Sequence, residues 1–162
     1  MTPAPETKSG LLRHTVATLA YRGGKAIRGA PADFPNFQAA AGTRTPVQIL
    51  AHIGDLLDWA LALCEGKHDW HNSTPLPWEQ ESGRFFRALQ AFDGRLASGA
   101  PLGFPAEKLF QGPVADALTH IGQIAMLRRI AGAPVRGENY FRAEITAGHV
   151  GAEQAPAVFE FD

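Results

Sequence analysis

Thr45-Pro46-Val47-Gln48-Ile49-Leu50-Ala51-His52-Ile53-Gly54-Asp55-Leu56-Leu57, continued by Asp58-Trp59-Ala60-Leu61-Ala62-Leu63-Cys64-Glu65-Gly66, is the stretch that decides the fold. Thr45 is an N-cap residue, and Pro46 occupies the first helical position, where its missing N–H costs nothing. Gly66 is a natural stop for a helix reaching Glu65. Within it, His52 shares a face with Ile49, Leu56, Trp59 and Leu63, at helical offsets of three, four, seven and eleven. That face is too apolar to be solvated, so the imidazole is expected to point into a helical core.

Working outward, three further segments carry the same periodicity between Pro- and Gly-rich breaks. The first runs from about Thr7 to Arg28, with Leu11, Leu12, Val16, Leu19 and Ala20 at helical spacing; Gly23-Gly24 weakens its second half. The break at 29–37 places Phe34 and Phe37 where they pack back onto the helices. The third segment runs from Pro77 to about Ala97 on a stripe of Trp78, Phe85, Leu89, Phe92 and Leu96, with Arg84, Arg87 and Gln90 off it. The fourth starts near Pro113 and ends at Gly132-Ala133-Pro134. Residues 138–145 add a short helix at most, and the alternation of residues 158–162 is too short to define a strand. The expectation is one all-α domain over residues 1–162, a four-helix bundle with a short C-terminal extension.

Composition narrows the function. Apolar residues make up 45% and charged residues 19%, values of a chain that folds around a core. Fifteen basic against sixteen acidic residues leave a net charge of -1, which gives no long-range attraction to nucleic acid or anionic lipid. The single cysteine, Cys64, excludes an intramolecular disulfide and fits a reducing compartment. The first eight residues lack an apolar leader, and no uninterrupted apolar run approaches membrane-spanning length. A cytoplasmic protein is the expectation.

On the fourth segment, Asp116, Thr119, His120 and Gln123 fall within one arc of about 100°. The same arc continues into Leu127, Ile130 and Ala131, while Arg128 and Arg129 emerge opposite. It therefore reads as an interior ribbon, the alternative being a wetted patch near the helix start. Asp116 and His120, four apart, are neighbours on the helix surface and can close on one cation. Alone, D-x-x-x-H is a weak signal. With an inward His52 it becomes two imidazoles and a carboxylate, a ligand set for Zn²⁺, Ni²⁺ or Fe²⁺ that leaves positions for water or substrate.

In these same residues the chain resembles the DinB/YfiT-like superfamily of four-helix-bundle metalloproteins, over nearly its whole length. The stretch 45–57 resembles that family's second-helix motif, and Asp116-Ala-Leu-Thr-His120-Ile-Gly122-Gln123-Ile its last-helix motif. The resemblance assigns metal ligation to His52, Asp116 and His120. At the middle position the family usually has His, so Asp116 makes the site harder and more anionic. The resemblance further implies an up-down-down-up bundle, frequently a homodimer, and an enzyme using a divalent metal with a low-molecular-weight thiol in transfer or isomerisation, or with water in hydrolysis. The contrasting reading is a non-catalytic metal-binding bundle that acts as a dimeric scaffold, with Leu118 and Ile121 available to a partner chain. In a degenerate site, Asp116 would leave only a plain scaffold.

The remaining polar residues carry less. Cys64 is expected to fill space rather than act as nucleophile. His14 belongs to core or surface, and His68, Asp69 and His71 to a solvated loop. Asp55, one turn from His52, either orients that imidazole or is exposed. Gln123, one turn after His120, is placed to bond water or backbone. Arg128 and Arg129 suit the negative end of a helix dipole. No nucleophile triad, phosphate loop or dinucleotide fingerprint offers a rival mechanism.

Overall fold

A computed structural model describes residues 7–161. The expected lack of a leader at residues 1–6 and the last position of the terminal alternation, Asp162, lie outside the described residues. Helix α1 (Lys8–Ile27) begins where the Thr7 hydroxyl accepts from the Gly10 N–H at 2.9 Å. Helix α2 (Pro46–Cys64) opens on a full capping box: Thr45 Oγ1 accepts from the Gln48 N–H, and Gln48 Oε1 accepts from the Thr45 N–H. Helix α3 (Trp78–Ala97) buries Phe85, Leu89, Phe92 and Leu96, the expected stripe, while Trp78 is half-buried and meets Phe34 edge-on. Phe34 and Phe37 do pack back onto the core.

The fourth segment starts earlier than Pro113. A one-turn helix α4 (Ala106–Leu109) follows Pro105, runs through a π-helical turn at Phe110–Val114, and continues as α5 (Ala115–Ile130). Pro113 lies inside this run. A proline ring clashes with the carbonyl one turn back and donates no N–H; the widened turn accommodates both defects, so the helix runs through Pro113, where its start was expected.

Side-chain pairings give the direction of every helix. Arg13 meets Asp93 and Gly23 meets Phe85, so α1 and α3 are antiparallel. Arg84 reaches Ala51 and Asp55, and Arg95 reaches the Cys64 carbonyl, so α2 and α3 run parallel. His52 faces Asp116, and Trp59 faces Gly112, which makes α2 and α5 antiparallel. Lys8 pairs with Glu107, and Arg128 reaches Ala26, so α1 and α5 run parallel. The bundle is up-down-down-up. Helices α1 and α2 each pack against α3 and α5, so the consecutive pair α1 and α2 lies on a diagonal.

One continuous core fills the space between the four helices, with Val16, Leu19, Ile53, Leu57, Phe85, Leu89, Phe92 and Ile124 fully buried. Gly23 lets α1 lie against α3: a Cβ there would stand 2.5 Å from Phe85 Cζ. Helix α2 is long and apolar enough to cross a membrane by length and composition, yet most of it is buried in the bundle. The extension folds back on α1. Its two short strands, β1 (Gly137–Glu138) and β2 (Glu160–Phe161), pair antiparallel, so the terminal alternation does form a strand. The expected short helix at 138–145 is reduced to a 3₁₀ turn at Tyr140–Arg142. The Glu138 carboxylate, buried, accepts from Tyr21 Oη at 2.5 Å and Lys25 Nζ at 2.7 Å, which fixes the extension to the bundle.

Candidate metal centre

The antiparallel apposition of α2 and α5 brings His52, Asp116 and His120 together, with one ligand atom of each within 4.8 Å of the others. Asp116 Oδ2 lies 3.8 Å from His52 Nε2, and Asp116 Oδ1 lies 3.5 Å from His120 Nε2. The two imidazole rings stand 4.7 Å apart at 89°, edge to face. Bonds of about 2.0–2.2 Å to a tetrahedral cation require ligand atoms roughly 3.4 Å apart. Each separation is near that edge but is made to a different oxygen of Asp116, so the carboxylate faces one imidazole with each oxygen; the donor set of two imidazoles and a carboxylate suits a borderline divalent cation. These residues can hold a metal ion.

The three side chains differ in exposure. Those of His52 and His120 are 18% and 13% exposed, whereas Asp116 is 49% exposed. The group is thus walled by imidazoles on the inner side and open to water at the carboxylate. Burial, reinforced by His120 and Arg44, pushes the His52 imidazole below its ordinary pKa, against the opposing pull of Asp116 and Asp55. It is therefore neutral at pH 7, the form that ligates. His120 Nδ1 lies 2.7 Å from Gln123 Oε1. Donation of the Nδ1 proton to that oxygen leaves the Nε2 lone pair facing Asp116, the tautomer a metal needs. Gln123 thus bonds an imidazole, where water or backbone was expected.

The ribbon reading of α5 needs correction. The buried face of α5 is Ala117, Ile121, Ile124, Leu127 and Arg128, while Thr119, Gln123, Met126 and Ile130 are exposed. The ligand pair sits on the rim of this face: of the arc, Asp116, Thr119, Gln123 and Ile130 are exposed, His120 is half-buried against α2, and Leu127 is buried. Arg128 and Ile130 exchange the roles assigned to them. The Arg128 guanidinium is buried and donates to the carbonyls of Ala26, Arg28, Gly29 and Ala133, at 2.8–3.3 Å. It ties the end of α1 to the end of α5, in place of the expected exposed dipole partner. Ile121 is buried in the core and so is not available to a partner chain, while Leu118 is half-buried against the core.

A second group, Asp55, Asp58 and His71, meets the same distance criterion. A cation already occupies it. Arg84 Nη2 donates to Asp55 Oδ1 at 2.6 Å and to Asp58 Oδ2 at 2.7 Å. Asp55 is neither exposed nor bonded to His52: it is buried and accepts from both the N–H and the hydroxyl of Ser73. Burial alone would raise its pKa, but these bonds and Arg84 hold it below the usual carboxylate value. His68 and Asp69 stay in the exposed loop, His14 is exposed, and Cys64 is fully buried with its thiol pushed up by burial. Arg84 and Ser73 were not among the candidates. A lone arginine off an apolar stripe gives no signal of its own until the parallel packing of α2 and α3 sets it between two aspartates.

No protein-family model, curated protein or solved structure matches the chain.

Proposed function

We propose that the chain is a divalent-metal-dependent enzyme of DinB/YfiT-like type, in which His52, Asp116 and His120 hold Zn²⁺ or Ni²⁺, with Fe²⁺ as the further option. The observation that carries this reading is the convergence of the three side chains from two helices, with one ligand atom of each within 4.8 Å of the others. The resemblance of the two helix motifs supports it, as does the exposed Asp116 side, which leaves room for a substrate. A bound cation would lower the pKa of coordinated water or thiol toward neutrality. His52 contributes an uncharged donor at physiological pH, and Gln123 keeps the His120 ring in its ligating orientation. Any thiol must come from solution: Cys64, the sole cysteine, is buried about three turns along α2 from His52. A low-molecular-weight thiol in transfer or isomerisation, or water in hydrolysis, is the nucleophile that fits.

The test is metal analysis of protein purified without a histidine tag, followed by thermal unfolding with added Zn²⁺ or Ni²⁺. Near-stoichiometric metal is expected in the unmodified chain and its loss in His52→Ala and His120→Ala. A cation at 100 times its Kd adds about 2.7 kcal/mol, which raises Tm by roughly 5–10 °C for a chain of this size. An identical melting curve with and without either metal overturns the reading. If the metal-free variants fail to fold, the cation is a structural element of a scaffold. If they fold, turnover of an activated ester or an electrophile, with and without a small thiol such as cysteine, distinguishes hydrolysis from thiol transfer.

A further inference from the structure

The segment joining α2 to α3 is held in an unusual way. Residues 68–76 make no backbone–backbone hydrogen bond among the described residues. Two of their N–H groups are instead taken up by buried carboxylates: Ser73 donates to Asp55 Oδ2 at 2.9 Å, and Leu76 donates to Glu81 Oε1 at 2.9 Å. The Ser73 hydroxyl adds a 2.6 Å bond to Asp55 Oδ1, and His71 Nε2 stands 3.1 Å from the same oxygen. Both carboxylates are themselves organised by Arg84, which also spans to Asp58 and to the Ala51 carbonyl. The segment is therefore a strap fixed at side-chain anchors, with its other residues in water.

What the strap carries is aromatic, and it lands on the cation site. Trp70 meets the His52 ring edge-on at 5.6 Å and the Trp59 ring at 5.7 Å, and Trp59 in turn meets His68 at 5.3 Å. Trp70 thus lies against the His52 ring, with its own outer part in water. Asp55, the main anchor, is one helical turn after His52 on α2. The anchor and the ligand therefore move as one rigid piece, and the strap is referenced to the site it covers.

We infer that residues 66–77 form an aromatic strap closing the His52 side of the cation site, and that the Asp55–Arg84 pair, which ligates nothing, holds it shut. Ligands then exchange from the Asp116 side, and loss of the cation is slowed because the strap holds the His52 ring in place. This rests on the metal-site reading above.

Hydrogen exchange of the full chain and zinc release to excess chelator test it together. In Asp55→Ala, exchange at the Ser73 amide, which Asp55 holds, is expected to rise while α2 and α5 stay protected. Zinc release should be faster by about tenfold, the scale on which outer-shell partners of metal ligands act. Ser73→Ala, which leaves the Arg84 contacts in place, should shift both readouts in the same direction and serves if Asp55→Ala does not fold. Trp70→Ala should speed release as Asp55→Ala does, yet leave exchange at Ser73 unchanged, because it removes the cover without detaching the strap. Unmodified protein that takes up no zinc removes the site and the strap's role with it. Zinc that binds normally, and leaves at an unaltered rate from all three variants, overturns the strap and leaves the site standing.

Discussion

Through one bond of 2.7 Å, Gln123 engages His120 Nδ1 and so leaves Nε2 facing Asp116, the nitrogen that would ligate in the proposed site. Since Gln123 is exposed, its removal should cost little stability. Gln123→Ala is expected to weaken zinc binding by about tenfold or more at an unchanged melting temperature of the metal-free protein, measured by competition with a chromogenic chelator. Equal affinity would show that the ring is oriented by packing alone. At this scale the sequence was informative where spacing carried the chemistry. The four-residue separation of Asp116 and His120 and the apolar face around His52 both led to the residues that converge. Exposure was not legible, because a helical wheel gives angles but not which neighbour covers them. Arg128 looked solvated and is buried because four carbonyls at the ends of α1 and α5 needed a donor.

Among the elements, α1 shows how propensity misleads. Gly23 weakens an isolated helix by about 1 kcal/mol relative to alanine. In the bundle, a Cβ at that position would also meet Ile121 Cδ1 at 3.1 Å, besides its 2.5 Å approach to Phe85. Both neighbours are buried and can yield little. Overpacking of this kind costs about 1–3 kcal/mol, which exceeds the gain in propensity. Gly23→Ala should therefore lower the urea midpoint of unfolding, and a raised midpoint would show that α1 and α3 separate easily. The bounds of α1, α2 and α3 followed to within a residue or two from apolar periodicity between Pro- and Gly-rich breaks, and in α2 also from its caps. The start of the last helix did not, since Pro113 has the look of a first-turn proline and nothing local announces a π-helical turn. The two-residue strands depend on a tail that meets itself across more than twenty residues, contact that no short window contains.

Over the whole molecule, the all-α bundle was legible because every amphipathic stretch had to cover another. Its stability should depend on acid through Asp55. This carboxyl titrates lower in the folded chain than in the unfolded one, where it sits near 3.9. Its contribution is thus fully present above that value and is lost as pH falls through the folded pKa. Unfolding free energy measured by denaturant between pH 6 and about pH 2.5 is expected to fall steeply below roughly pH 4. Asp55→Asn should flatten that slope while lowering stability at neutral pH. A slope identical in the variant would place the acid sensitivity elsewhere.

The diagonal placement of α1 and α2 has a bearing on how the protein is made. A growing polypeptide that has delivered only its first three long helices presents His52 on an unfinished groove, with Asp116 and His120 still to be synthesised. One imidazole is a weak hold on any transition ion, so a cation at the proposed site would be held only once the last helix slots into the gap between α1 and α2. On the proposed reading, an incoming ion would meet a completed bundle, and the choice among competing ions would be made at the end of assembly.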